Sequence, residues 1–584
     1  MKRRGIIFLL LAFLIIPAVS FAKAHAEGKW WENAVFYQIF PLSFYDSSGS
    51  RMGDINGITE KLDYLEYLGI TAIWLTPIHP VPAGLYHGYA LNDFYAVREE
   101  LGTMEDFERL IKEAKKRGIY IVMDLVMNHT STEHKWFVES ATKQGSKYAD
   151  YYIWQKNPLP GWENASGNPR QPPWNKYEGE GYRNGHHFYA AFNFTLPDLN
   201  YQNPAVREEM NKIAKFWLDK GVKGFRIDAA RYLIETGPGN GQKDTPETID
   251  YLRDFSKYVK SVDPDAYVIG EVYAGMDICK RYYNGYPGMD AVFDFDFGGK
   301  GGIIQGAFRT GMTTAFYRTI DSFLNIGKRD NVPLSFFSLY FSNHDSGRMP
   351  EVLREAANIK AAAAIFFTMP GGAPYIYYGD EIGMREGPRL VGDAEMRNPM
   401  HWDSSQFAGF TTGEGVWTRR MHSYHMDPRR AEGRDKEMAE NNNVEYQKND
   451  PQSVLQLYRR MIEVRKKYPA LYRGEYEELK IDLDNVKVHT DRTSRRPQNP
   501  FVAYIRHYGN QAVLVMVNPG RNRVDINQEL GSKVLQNGNW KIIDVVYSQD
   551  LTGSLPRRME RDLENKRING RFEARDFIIV VMEK

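Results

Sequence analysis

From residue 34 onward, short runs of β-branched and aromatic residues alternate with longer amphipathic stretches, the rhythm of repeated βα units. The runs at 35–40, 72–76, 120–126, 222–228, 267–271, 291–297, 337–343 and 374–378 read as strands, most of them separated by a plausible helix. Eight such units predict an α/β fold of the closed (β/α)8 barrel type. Two helices carry clear start signals: 103–117 opens on Thr103 with Asp106 in capping register, and 204–220 opens on Pro204. Between Asn128 and about Asn200 lies a connection rich in Pro, Gly and Trp, far too long for a simple βα loop. It predicts a small inserted domain after the third strand. A second irregular stretch runs from 385 to 443. Beyond a last helix at 451–467, alternating runs at 501–508, 512–518 and 577–583 predict a C-terminal antiparallel β-sandwich. The expected organisation is a barrel over 27–128 and 201–470, an insert over 129–200 and a sandwich over 471–584.

The 26 residues ahead of this pattern have a different logic. Lys2, Arg3 and Arg4 precede an apolar run from 6 to 19, and Ala24-His25-Ala26 is a small-x-small cleavage site. That order predicts a secretory signal peptide over 1–26 and a secreted or periplasmic product, the run being short against the roughly 20 residues of a membrane span. With no cysteine near the cleavage site and no second long apolar run, no stable membrane anchor is expected. Cys279 is the only cysteine, so no intrachain disulfide can form, and a bound metal ion is one candidate stabiliser of an exported fold. Lys plus Arg (75) nearly cancel Asp plus Glu (74), which excludes a strong field for nucleic acid. Aromatic residues make up 14%, a supply of flat apolar faces with polar edges that suits sugar rings as well as large cores.

The active site of such a barrel forms at the C-terminal ends of its strands. The fourth run closes on Arg226-Ile-Asp228, which alternation places on one inward face, and an Arg beside an Asp is expected to keep that carboxylate ionised. The fifth run closes on Glu271, the seventh on Asn343-His344-Asp345, and the third on Asp124, Asn128 and His129. Converging carboxylates repel, so at least one should hold a proton near neutrality. A nucleophile, a general acid and an orienting charge are what glycoside hydrolysis needs.

The segments Asp124-Leu-Val-Met-Asn128-His129, Gly224-Phe-Arg226-Ile-Asp228, Gly270-Glu271-Val and Phe341-Ser-Asn343-His344-Asp345 resemble, in order, the signature regions of the α-amylase family of retaining glycoside hydrolases (glycoside hydrolase family 13). Tyr86-His87-Gly88-Tyr89, Leu196-Pro-Asp198-Leu-Asn200 and Gly372-Ala-Pro-Tyr-Ile-Tyr-Tyr-Gly379-Asp-Glu fit the same family. The resemblance implies Asp228 as nucleophile, Glu271 as general acid and base, and Asp345 as the residue that binds and distorts the sugar. It implies support from Asp124, Arg226, His87, His129 and His344, with Tyr89 stacking under the ring. A calcium ion is implied at the side chains of Asn128 and Asp198 and the main-chain carbonyl of Tyr232, chemically apt oxygen donors.

Departures qualify the likeness. Arg231-Tyr232 stand where family amylases often carry Lys-His, and the loop Asp46-Ser-Ser48-Gly-Ser50-Arg-Met-Gly-Asp54 has serines where a second calcium loop would have Asn or Asp. That second site is expected to be weakened or lost. Ala229 after Asp228 resembles α-1,4-acting members, whereas α-1,6-acting relatives often carry Val. The resulting expectation is an exported, monomeric, endo-acting α-amylase-type hydrolase of starch or maltodextrin. An α-glucosidase, cyclomaltodextrinase or glucanotransferase is the alternative. A non-catalytic glucan-binding protein would have lost a catalytic carboxylate, and Asp228, Glu271 and Asp345 all remain. Of Trp162, Trp174, Tyr177, Tyr182 and Phe188, about half are expected to be insert core and the rest to line outer subsites.

Overall fold

The computed structural model describes residues 28–283, 288–311, 313–387, 392–418, 440–489, 499–551 and 553–584. The signal-peptide reading, and parts of the stretch from 385 to 443, lie outside the described residues. Strands β1 (Phe36–Ile39), β2 (Ala72–Leu75) and β3 (Tyr120–Leu125) begin the barrel. Three short strands, β4 (Trp154–Gln155), β5 (Trp174–Lys176) and β6 (His187–Tyr189), form an antiparallel sheet in the long connection after β3. The barrel resumes with β7 (Gly224–Ile227), β8 (Tyr267–Gly270), β9 (Ala291–Phe293), β10 (Phe337–Ser338) and β11 (Tyr375–Tyr377). Its eight strands run parallel in the order β10-β9-β8-β7-β3-β2-β1-β11. A parallel bridge between Tyr340 and Tyr375 brings the two ends together, with the Tyr375 amide 2.8 Å from the Leu339 carbonyl.

Alternation along these strands fixes what fills the barrel. Tyr37, Ile39, Ile73, Leu75, Ile121, Met123, Phe225 and Ile227 face the surrounding helices. The opposite positions, Phe36, Trp74, Val122, Tyr267, Ile269, Phe293 and Tyr375, make a separate interior cluster. One step nearer the C-terminal mouth the inward positions become polar: Gln38, Asp124 and Arg226 are all buried. The mouth is thus a polar lid on an aromatic plug.

Capping helices keep register outside. Met104–Lys116 starts on a reciprocal Thr103/Asp106 capping box, and Pro204–Asp219 starts on the Asn203 side chain. Several strands are shorter than their apolar runs. The run at 337–343 keeps a ladder only at Phe337–Ser338, because its end turns: Asn343 Oδ1 accepts from the Asp345 and Ser346 amides at 2.9 and 2.6 Å.

The C-terminal part holds β12 (Glu475–Glu478), β13 (Val486–Val488), β14 (Val502–Tyr508), β15 (Gln511–Val517), β16 (Val524–Glu529), β17 (Lys541–Tyr547), β18 (Arg567–Phe572) and β19 (Phe577–Glu583). They form antiparallel sheets of five and three strands. One face of the larger sheet joins the core of the barrel helices, and the other forms a second core with the smaller sheet.

Candidate active site

Arg226 is the hub of the mouth. Its guanidinium is 2% exposed and lies 5.1 Å from the Trp74 ring centroid. Nη1 donates to Asp124 Oδ1 at 2.9 Å and to Asp228 Oδ1 at 2.5 Å, while Nη2 reaches Glu271 Oε2 at 3.0 Å. Three carboxylates from β3, β7 and β8 therefore share one cation. Glu271 Oε2 also accepts from the Ala229 amide at 3.0 Å, a bond made possible by the left-handed turn at Ala229 (φ 48°). The sequence reading gives Arg226 the task of keeping Asp228 ionised. Arg226 does pull in that direction, but burial and the charges of Glu271 and Asp124 outweigh it, and the Asp228 carboxyl is pushed well above the usual range. Asp124 is raised by burial too, against Arg226 and His344. Burial and mutual charge thus both oppose full ionisation of Asp124 and Asp228.

A second layer joins the strand ends into one network. Asp124 Oδ2 accepts from Trp74 Nε1 at 3.3 Å and from the Tyr89 hydroxyl at 3.0 Å. The Tyr89 ring lies parallel to His344, 5.5 Å between centroids, with its hydroxyl 2.5 Å from His344 Nε2. On the other side of that imidazole, the Gln38 side-chain amide nitrogen lies 2.6 Å from Nδ1. His344 Nε2 lies 3.0 Å from Asp345 Oδ2, and Arg397 Nη2 lies 2.9 Å from Oδ1. Enclosure in the cleft would raise the Asp345 carboxyl, yet His344 and Arg397 hold it well below the usual range. Its side chain remains 46% exposed, facing the opening.

The other site candidates surround this network. His87 Nδ1 accepts from the Tyr89 amide at 3.1 Å, and burial and Arg397 push its imidazole down to about 4. His129 is buried beside Phe192 and is driven down to about 3, so both rings are neutral near pH 7. Gln38, Trp74 and Arg397 escaped the sequence reading. Gln38 was visible as a polar residue inside an apolar run. Trp74 looked like any core aromatic, and Arg397 sits in an irregular stretch without periodicity.

At the junction of β3 with the insert, Asn128 Nδ2 donates to Asp198 Oδ2 at 3.0 Å, and the Ala191 amide donates to Oδ1 at 2.9 Å. Burial pushes Asp198 up to about 7, and it raises Glu235, where the charge of Asp198 adds to it. Asn128 Oδ1 and Glu235 Oε1 are buried without a hydrogen-bond partner. Two buried carboxyls and an orphaned amide oxygen, with no Lys or Arg among their hydrogen-bond partners in the described residues and only the His129 ring beside the Asn128 amide, fit a hard cation. Glu235 was not among the sequence candidates. Tyr232, whose carbonyl was, packs its ring 5.1 Å from Phe192. The 46–54 loop does not fit an ion: Asp46 accepts from the Ser48, Ser50 and Arg51 amides, and Asp54 from Ser47 and Gly57. Its own donors occupy both carboxylates.

Of the five insert aromatics, Trp174 and Phe188 are buried core, while Trp162 and Tyr177 are half-buried and pack on rings of the insert, so about half are core, as expected. Tyr182 instead lies under the Arg183 guanidinium.

A carboxyl cluster bridged by one guanidinium at the C-terminal mouth of a (β/α)8 barrel, where such barrels carry their active sites, marks a barrel enzyme. The family model for the α-amylase catalytic domain matches residues 38–474, and the chain belongs to the α-amylase family of glycoside hydrolases. It is 33% identical over 538 residues to alpha-amylase 3 of Dictyoglomus thermophilum, spanning 88% of this chain and 97% of that one. Oligo-1,6-glucosidase of Parageobacillus thermoglucosidasius is 31% identical over 559 residues, spanning 84% and 91%. The crystal structure of trehalose-6-phosphate hydrolase from Bacillus licheniformis superposes with a TM-score of 0.74 at 27% identity, covering 95% of this chain and all of that one.

Proposed function

We propose that the protein hydrolyses α-1,4-glucosidic bonds of maltodextrins and starch with retention of configuration, cutting within the chain. The observation that carries this reading is Arg226 holding Asp228 and Glu271 at one mouth, with Asp345 joined to the same network through His344 and Tyr89. Asp228 attacks the anomeric carbon while Glu271 gives its proton to the departing glycosidic oxygen. Glu271 then takes a proton from water, which displaces Asp228. One proton over the Asp228/Glu271 pair is the stoichiometry this needs. Asp345, held ionised by His344 and Arg397, accepts from sugar hydroxyls. Neutral His87 and His129 supply further hydrogen bonds, and Tyr89 offers its ring face. Ala229 supports the α-1,4 linkage.

Asn128, Asp198 and the Tyr232 carbonyl would hold calcium, with Glu235 as an added carboxylate; the ion would supply charge balance that ties the insert to the barrel. Export through the 1–26 segment accords with a substrate too large to enter a cell. A time course of products from soluble starch and a cyclic maltodextrin tests the function. Mixed-length products with rapid loss of iodine staining are expected. Glucose or maltose alone would overturn endo action and favour an α-glucosidase, the activity that the names of several relatives carry.

A further inference from the structure

Arg348 stands three residues beyond Asp345 and is fully buried, at 0% exposed. A buried guanidinium is costly to desolvate, and a buried ion pair is a weak source of stability. The carboxylate that faces it, Asp380, lies 4.0 Å from Nη1, too far for a hydrogen bond. Its bonds go to backbone instead. Nη1 donates to the Tyr378 carbonyl at 2.7 Å, just past β11. Nε is shared between the Met396 carbonyl and the Asn398 side-chain oxygen, both at 3.1 Å. The rings of Tyr377 and Tyr378 flank the guanidinium, with centroids at 4.4 and 4.7 Å.

The two residues that Nε grips are the neighbours of Arg397. The same two tyrosines reinforce the grip: the Tyr377 hydroxyl donates to the Met396 carbonyl at 3.0 Å, and the Tyr378 hydroxyl to the Asn398 carbonyl at 2.7 Å. The Ser43 hydroxyl holds the Arg397 carbonyl at 2.6 Å. All three carbonyls of 396–398 therefore have a fixed donor, in a stretch that no helix or strand holds on course. The side chain delivered by this bracing is that of Arg397, whose Nε donates to the His344 carbonyl at 3.2 Å and whose Nη2 donates to Asp345 Oδ1 at 2.9 Å. One loop, 344–348, thus holds the segment twice: His344 and Asp345 meet the Arg397 guanidinium, and Arg348 grips the chain on either side of it. We propose that Arg348 is a positioning residue for the reaction, setting the path of 396–398 so that Arg397 meets Asp345 and fixes where that carboxylate stands against the sugar. This rests on the proposed role of Asp345.

The test is a double-mutant cycle on the full chain, with maltotriose and with α-glucosyl fluoride, which share the glucosyl ring that Asp345 would hold. Arg397→Met should lower kcat/KM about a hundredfold on both substrates alike, mainly through kcat. Arg348→Lys keeps a charge facing Asp380 but cannot reproduce the divergent bonds from Nε and Nη1. It should lower kcat/KM about tenfold, again on both substrates alike. Asn398→Leu, which removes one acceptor of Arg348 at similar volume, should cost about threefold in the same pattern. In the Arg397→Met background, Arg348→Lys and Asn398→Leu should each change kcat/KM by less than about twofold, because their effect runs through Arg397. Losses that multiply in the double variants, or parent-like turnover in both single variants, overturn the proposal. If Arg348→Lys does not fold, Asn398→Leu decides alone on the same two criteria. Parent-like turnover in Arg397→Met would instead overturn the reading of Asp345 held by Arg397, and the positioning role with it.

Discussion

One guanidinium set against Asp124, Asp228 and Glu271 leaves the mouth short of positive charge, so proton placement decides what each carboxyl can do. Glu271→Gln removes the proton donor but leaves Asp228 in place. Its kcat/KM on maltotriose should fall by about 10³, and on α-glucosyl fluoride far less, since fluoride departs with little protonation. Equal losses would refute the acid role. Asp228→Asn should abolish both turnovers, with a melting temperature close to the parent's. A buried histidine outside the network makes a stability prediction. His79 is 1% exposed against Trp217, its Nδ1 3.1 Å from the Ala96 carbonyl, and burial pushes it down to about 4 despite Asp93. A depressed imidazole contributes stability that is whole above its unfolded value of about 6.5 and is lost as the pH falls toward 4, up to about 3 kcal/mol. Asp294 and Asp380, pushed up to about 7 by burial, act with the opposite sign, so the comparison must be between variants. His79→Phe should flatten the fall in melting temperature between pH 7 and pH 5; an unchanged slope would refute it. The strand-end carboxylates were legible in the sequence because a polar residue closing an apolar run has few structural reasons to be there. Arg397 was not, because it lies in an irregular stretch and its contact with Asp345 reaches back 52 residues, across a whole helix and a barrel strand.

At the scale of elements, catalytic geometry depends on how β7 and β8 lie side by side. Gly224 pairs with Tyr267, and a Cβ at Gly224 would sit 2.1 Å from the Tyr267 carbonyl oxygen. Backbone cannot yield there as a side-chain tip can. Gly224→Ala should therefore push the strands apart, costing about 1–3 kcal/mol and lowering kcat at least tenfold by separating Asp228 from Glu271. Parent-like melting and kcat would show the ladder to be more compliant than its spacing implies. The β3–insert junction makes the metal prediction. A chelator should lower the melting temperature, calcium should restore it, and Glu235→Gln should shrink the response without touching the carboxylates at the mouth. No response to chelation would mean that Asp198 and Glu235 balance their charge by protonation alone. Both strands were legible as apolar runs, but their true ends were not. Where a run turns out of its ladder depends on partners such as Asn343 and the Ser346 amide, which sequence periodicity does not register.

For the whole molecule, the decisive fact is that the C-terminal sheet is not an appendage. Val502, Tyr504, Val513, Val515, Val517, Phe577, Ile579 and Val581 belong to the same core as the barrel helices. The helix Ala356–Thr368, buried along most of its length, lies between them, and its Thr368 hydroxyl meets the Tyr504 hydroxyl at 2.6 Å. Arg506 reaches from β14 to the carbonyls of Thr368 and Gly474, both at 2.8 Å. Burying each such apolar side chain is worth about 1.5–3 kcal/mol, against a net stability of about 5–15 kcal/mol for an entire domain. Removing the sheet would strip more from the barrel than its own margin, although every residue proposed for chemistry lies before it. Truncation after Gly474, where the family match ends, should therefore yield insoluble or inactive protein, and the full chain should melt in a single transition. A soluble, active 28–474 fragment, or two separated transitions in calorimetry, would show that the barrel carries its own stability and that the sheet's inner face is a docking surface, not part of one core.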